Sequence, residues 1–322
     1  NAGETKNVGV ELTVNTVNFS TKKFSWNTTL TLSHNKNSVK ALTGEAVQLY
    51  EARFGFNQNT HRIAVGEPLG QFYGYITEGL YQVDDFNYDA STQTYTLKDG
   101  VPYHGDKGQI RPGMWKFKNL TGDDNVIDEN DKTVIGNAQP KFYGGLNNSF
   151  TYKGFDLSIF LTFSYDNEVL NATKLVTSKV GSLNYNALDV MNSSNRWMTI
   201  NSDGQKVTDP GELAALNAGK TVAAYHDAQQ GDNYIHSWAV EDASYLKLSN
   251  VTLGYTFPKN LIARIGLKNL RLYATGNNLL TWTKYSGFDP EVSTMKSGLT
   301  PGVDFGAYPL SRSFIFGLNV AF

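Results

Sequence analysis

Arg312-Ser-Phe-Ile-Phe-Gly-Leu-Asn-Val-Ala-Phe322 is the stretch on which the fold turns. Phe314, Phe316, Leu318, Val320 and Phe322 fall on one face of an extended strand. Ser313, Gly317, Asn319 and Ala321 fall on the other, with Ile315 the single large exception. Successive strand residues point to opposite faces, so this pattern makes one greasy surface and one small or polar surface. Such a strand suits a wall between lipid and a watery lumen. Soluble sandwiches alternate as well, and alternation alone leaves both open.

Working back from the tail, the same period recurs in pairs. Val10, Leu12 and Val14 alternate with Glu11, Thr13 and Asn15. After a turn around residues 20–23, Phe24, Trp26, Thr28, Leu30 and Leu32 alternate with Ser25, Asn27, Thr29, Thr31 and Ser33. A second hairpin runs through Leu146, Phe150 and Tyr152, turns at Lys153-Gly154, and returns through Phe155, Leu157, Ile159, Leu161, Phe163 and Tyr165. A third pairs Val251, Leu253, Tyr255 and Phe257 with Leu270, Leu272 and Ala274, across a turn from Pro258 to Asn269 with room for one helical turn. The terminal strand is expected over about 308–322, and two weaker strands near 46–57 and 63–76 bring the expected total to nine.

Long polar segments, about 77–140, 167–242 and 283–307, separate the hairpins. Loops of that length are uncommon in compact domains and are usually functional. Short turns at one end and long loops at the other is the asymmetry of an outer-membrane barrel. Strand parity then sends all three long segments outward and leaves Phe322 at the periplasmic rim. Aromatics are expected in two interfacial belts. Phe24, Trp26, Tyr152, Phe155, Tyr255, Phe257 and Phe322 would form the periplasmic belt, and Phe163, Tyr165, Trp282, Tyr285 and Tyr308 the outer one.

Composition agrees with strands and loops: 18 Tyr, 18 Phe and 30 Gly in 322 residues. The mean hydropathy of -0.37 is no argument against a barrel, because only every second residue meets lipid. No stretch approaches the roughly 18 apolar residues of a membrane helix. A formal net charge of -2 offers no footprint for nucleic acid. Absence of cysteine excludes disulfides and thiolate metal sites. The chain opens on a strand without an export signal, so it is expected to be the carboxyl-terminal piece of something longer.

Several separated motifs together resemble the SusC/RagA-like TonB-dependent transporters of Bacteroidota outer membranes. They are Asn1-Ala-Gly with Asn7-Val-Gly-Val-Glu-Leu12, Val65-Gly-Glu-Pro-Leu-Gly-Gln-Phe-Tyr-Gly-Tyr75 and Glu78-Gly-Leu-Tyr-Gln82. Trp238-Ala-Val-Glu-Asp-Ala-Ser-Tyr-Leu-Lys-Leu-Ser-Asn-Val-Thr-Leu-Gly-Tyr255 is the most specific. Gly276-Asn-Asn-Leu279, Tyr285-Ser-Gly-Phe-Asp-Pro-Glu-Val292 and the tail complete the set. The tail also resembles the final-strand insertion signal of bacterial outer-membrane barrels. The resemblance implies an all-β transmembrane antiparallel β-barrel of about 22 strands around a plug. Residues 1–322 would be its carboxyl-terminal part. The implied activity is TonB-powered import of oligosaccharides or peptides, with a SusD-like surface lipoprotein as lid. Plug, earlier strands and TonB contact would belong to the part upstream.

Two residue sets are candidate sites. Asn119-Leu-Thr-Gly-Asp-Asp-Asn-Val-Ile-Asp-Glu-Asn-Asp131 resembles an Asp-rich calcium-type loop, with Asp124, Asp128 and Asp131 near positions five, nine and twelve and Asn125 in place of the turn glycine. The competing reading is a solvated acidic turn capping the next strand. Tyr73, Tyr75, Tyr81, Trp115, Trp197 and Trp238 are candidates for stacking on substrate or a partner, against the simpler reading that each pins its own loop. His34, His61, His104, His226 and His236 show no metal spacing, and no nucleophile-elbow or Walker pattern occurs, so no enzyme is expected. A soluble all-β carbohydrate-binding module and a passive porin stay open as alternatives.

Overall fold

The computed structural model describes residues 3–51, 58–122, 124–178, 186–224, 234–295 and 297–322. Seven strands form its largest sheet: β1 (Gly3–Ser20), β2 (Phe24–Leu42), β3 (Phe142–Tyr152), β4 (Phe155–Tyr165), β5 (Tyr245–Thr256), β6 (Asn269–Thr283) and β7 (Ser313–Ala321). Each pairs antiparallel with its predecessor and successor, a meander with no crossover. The chain is all-β and its main sheet is a stretch of barrel wall.

Cross-strand register sorts the two faces. Leu12, Leu32, Gly144, Phe163, Leu246 and Trp282 lie side by side across six strands, as do Val14, Leu30, Leu146, Leu161, Leu248 and Leu280. Between them, on the opposite face, run Thr13, Thr31, Gly145, Thr162, Lys247 and Thr281. Apolar rows on one side and polar rows on the other are what lipid and lumen require. Bulges keep this sorting where the alternation slips. At Val17/Phe19 a register shift returns Phe19 to the apolar face opposite Trp26. Near Leu248/Asn250 a second shift on β6 puts Asn278 at φ 52°, a conformation Asn tolerates better than most residues.

All four expected wall regions are present, with three corrections. First, β1 and β2 run 18 and 19 residues, well past the alternating stretches. Strands rise about 3.3 Å per residue, so they exceed a roughly 25 Å apolar band, and the excess needs no greasy face. Second, the two weak strands are not in the wall. Val47–Glu51, Asn59–Ala64 and Gln71–Gly74 join Thr133–Asn137 in a separate four-stranded sheet, while residues 52–57 lie outside the described residues. The described wall thus has seven strands rather than nine. Third, β7 starts at Ser313, beyond Pro309, which has no N–H to give a ladder.

The long connections do not hang as separate loops. They fold into a layer with its own core, in which Phe72, Leu170, Ala172, Ala239 and Val303 are fully buried. Glu168–Asn171 pairs antiparallel with Val240–Asp242 and parallel with Val303–Asp304, tying the second connection to the third. A bridge between Tyr75 and His236 ties the first to the second. Tyr285, expected in the outer belt, belongs to this layer: it is 5% exposed and its hydroxyl donates to Asp304 at 2.6 Å. Tyr165, Trp282 and Tyr308 are exposed at the end of the wall from which the long connections leave.

Candidate functional site

The polar face of the wall is built as a hydrogen-bonded surface. Thr162 and Ser249 hydroxyls meet at 2.7 Å, Ser158 donates to Asn147 at 3.0 Å, and Asn250 donates to Asn277 at 2.7 Å. Thr252 and Thr275 meet at 2.8 Å, and the Arg271 guanidinium grips Asp156 through two bonds. Short polar side chains satisfied by their neighbours leave a smooth, wettable surface rather than a binding pocket.

Where this face meets the loop layer, a groove of about 440 Å³ opens. Tyr143, Ser164 and Tyr245 contribute from the wall; Asn167, Glu168, Glu291 and Ser293 contribute from the layer. Glu291 is its electrostatic centre, accepting from the Tyr245 hydroxyl at 2.7 Å and pairing with the Lys247 ammonium. Ser164 donates to Asn167 at 2.7 Å. Carboxylate, amide and hydroxyl groups beside tyrosine rings fit a polar ligand rich in donors and acceptors. Sequence reasoning missed this site because Tyr245 and Glu291 are 46 residues apart and sit in two motifs with no visible link.

The six candidate loop aromatics fare unequally. Tyr75 and Trp115 are buried in one cluster with Phe117, and Trp115 packs against Trp238 at 4.9 Å. Tyr81 is fully buried, its hydroxyl donating to the Pro102 carbonyl at 2.7 Å. Trp197 is buried against Gly113, where φ is 86° and an added Cβ would lie 2.4 Å from the indole. Trp238 is half-buried with the Lys174 ammonium 4.1 Å from its ring centre. Tyr73 is half-exposed in a depression of about 610 Å³ that also contains Arg62 and Glu45. Packing of the layer thus claims Tyr75, Tyr81, Trp115 and Trp197, leaving Tyr73 and Trp238 partly free.

The acidic loop is closed by its own backbone. Asp131 is fully buried, and its oxygens accept from Leu120 N at 2.6 Å, Thr121 N at 2.9 Å, Thr121 Oγ1 at 3.2 Å and Asp128 N at 2.8 Å. Burial pushes this carboxyl up, but the combined N–H and hydroxyl donors outweigh it and hold it below the usual carboxylate range. Asp128 accepts from Asn130 N and Asp124 from Val126 N. The Asn125 backbone carbonyl accepts from Tyr103 N. Among the described residues no group of three or more acidic or histidine side chains is placed to hold a metal ion.

Two histidines stitch the layer. His61 Nε2 lies 2.9 Å from the Pro301 carbonyl, joining the first connection to the third. His236 Nδ1 lies 2.8 Å from Thr77 Oγ1, joining the second to the first. His226 lies outside the described residues. Burial pushes His61 down to about 4 and, with the Lys174 charge adding to it, His236 down to about 3. Both are therefore neutral in the folded layer, and the unfolded chain binds the extra protons. Their stabilisation is complete above the ordinary histidine value of about 6.5 and drains away as pH falls toward 4 and 3. Amide exchange in the layer is expected to speed up at least tenfold, relative to the wall, between pH 7 and 4.5 after correction for intrinsic rates. His61→Gln and His236→Gln should flatten that dependence.

Comparison with known proteins gives a consistent picture. No family model matches the chain. It is 33% identical over 329 residues to TonB-dependent receptor P3 of Formosa agariphila, which covers 100% of this chain and 29% of that protein. It is 27% identical over 335 residues to TonB-dependent receptor SusC of Bacteroides thetaiotaomicron, covering 100% and 27%. A chain of the solved RagAB peptide transporter superposes with a TM-score of 0.67 at 20% identity, covering 99% of this chain and 30% of that one. The chain thus spans about three tenths of the length of the curated relatives it matches.

Proposed function

We propose, from the premise that this chain is homologous along its whole length to the SusC/RagA-like TonB-dependent receptors, that it forms part of the wall and outer loop layer of a bacterial outer-membrane nutrient importer. Residues 1–322 would be the carboxyl-terminal part of a barrel of about 22 strands, with plug and TonB contact supplied by preceding sequence. The short turns would face the periplasm, with Phe322 at that rim. Substrates would be oligosaccharides or peptides, captured with a SusD-like lipoprotein above the loop layer.

One observation carries the reading: a wall with an apolar and a polar face whose polar face leads directly into a ligand-sized groove under a folded loop layer. A soluble sandwich would bury its apolar rows against a second sheet, yet Val10, Leu12, Leu253 and Phe316 are 50–80% exposed.

The test uses the full-length protein in its host. It should fractionate with outer membrane and need detergent for release; recovery in the aqueous fraction would overturn the membrane reading. A deletion strain should lose growth on at least one member of an oligosaccharide and peptide panel. Uptake should collapse when TonB is removed, and uptake that persists would leave a passive pore. Tyr245→Ala with Glu291→Gln should lower that uptake about tenfold while surface amounts stay unchanged.

A further inference from the structure

Charge is distributed unevenly along the wall. The three short connections, residues 21–23, 153–154 and 257–268, carry Lys22, Lys23, Lys153, Lys259, Arg264 and Lys268 and no carboxylate side chain. With a formal net charge of -2 for the chain and +6 here, the remainder carries -8. All six cations are exposed, and none takes an ion pair among the described residues. Asp156, two residues past the second of these turns, is already held by Arg271.

A second observation says what this rim faces. The longest of the three connections contains a helical turn, Lys259–Ile262 followed by Ala263–Ile265. Leu261 and Ile265, four residues apart, are 54% and 68% exposed beside Arg264. On the apolar face of the wall, the last side chains before the turns are aromatic, Tyr152 and Phe155 among them, both about half exposed. Hydrocarbon, aromatic and cation therefore follow one another down the wall, the sequence of layers met on leaving a bilayer through its headgroups.

We propose that this rim binds the anionic phospholipid headgroups of the leaflet it faces, with Leu261 and Ile265 set into the acyl boundary below them. The proposal rests on the membrane-wall reading. Basic clusters beside a membrane segment attract anionic headgroups additively, and the attraction weakens with salt. A cationic rim in an otherwise acidic chain would seat the barrel at a fixed depth.

The test places the full-length protein in nanodiscs of phosphatidylcholine mixed with phosphatidylglycerol and reads retained lipid by native mass spectrometry. Wild type should retain phosphatidylglycerol about tenfold over phosphatidylcholine, less at high salt. The variant K22Q/K23Q/K153Q/R264Q should lose that preference, and K22R/K23R/K153R should keep it. The control K6Q/K36Q, at the opposite end of β1 and β2, should also keep it. No preference in wild type, or a loss with K6Q/K36Q instead, overturns the proposal. A protein that stays in water and never enters nanodiscs sinks the membrane reading itself.

Discussion

Gly144→Val is expected to prevent the wall from folding, at a cost of about 3 kcal/mol or more. Gly144 sits where β3 passes between β2 and β4, and a Cβ built there lies 2.0 Å from the Thr31 carbonyl oxygen. That oxygen is backbone and cannot swing aside. Relief requires β2 and β3 to separate, which breaks their ladder, or Phe163, 2.9 Å away, to leave its row. Gly145, one residue on, is the internal control. Its nearest neighbour is the tip of the Phe160 ring, which has room to turn, so Gly145→Ala should cost about 1 kcal/mol. The measurement is the folded fraction of full-length protein in detergent, read as heat-modifiable gel migration across a urea series. Wild-type behaviour from Gly144→Val would show that β2 and β3 do not approach this closely.

Asp131→Ala should open residues 119–131 and lower the stability of the loop layer by about 2–4 kcal/mol. Three backbone N–H groups, of Leu120, Thr121 and Asp128, would lose their acceptor in a place where the carboxylate is fully sealed from water. Asp131→Asn should fall between, keeping one acceptor oxygen and placing an NH2 against a donor. Amide exchange of Leu120, Thr121 and Asp128 reads the effect directly. The same experiment separates anchoring from calcium binding. Because the Asp131 oxygens already accept four bonds, millimolar calcium should leave the wild-type exchange rates unmoved against a chelator control. A calcium-dependent slowing would show the carboxylates turning outward to a cation, since a ligand that binds only the folded loop must stabilise it. Acid acts in the same sense as the alanine: the depressed carboxyl stabilises the loop above its ordinary value near 4, and that contribution is lost as pH falls below it.

The groove and the acidic loop show different reasons for hidden function. Glu291 and Tyr245 are polar residues on separate elements, and only the return of the chain from β6 through the loop layer brings them to 2.7 Å. Asp131 was visible as part of a motif, but the direction of its oxygens depends on Leu120 and Thr121 folding back over it. The loop aromatics were likewise visible as residues. Whether each meets solvent or the layer's core depended on neighbours such as Gly113 under Trp197.

The sequence by itself determined the wall. A strand carries its sidedness in a period of two, lipid punishes any polar residue on its outer face, and Phe314 to Phe322 record that constraint without reference to the rest of the chain. The short turns are legible for the same local reason. The tertiary structure decided everything the long connections do. The described residues of these connections bury their apolar side chains against one another rather than along one face of a long strand, so no period of two marks them. Their strands of two to six residues take partners from elsewhere in the layer, as Leu170 does from Val303, and His61 reaches across 240 positions to the Pro301 carbonyl. Tyr81, Phe86, Leu97, Ile110 and Met114 bury one another within the first connection, but the core of Phe72, Leu170, Ala239 and Val303 exists only once all three connections have come together, because its members come from each of them.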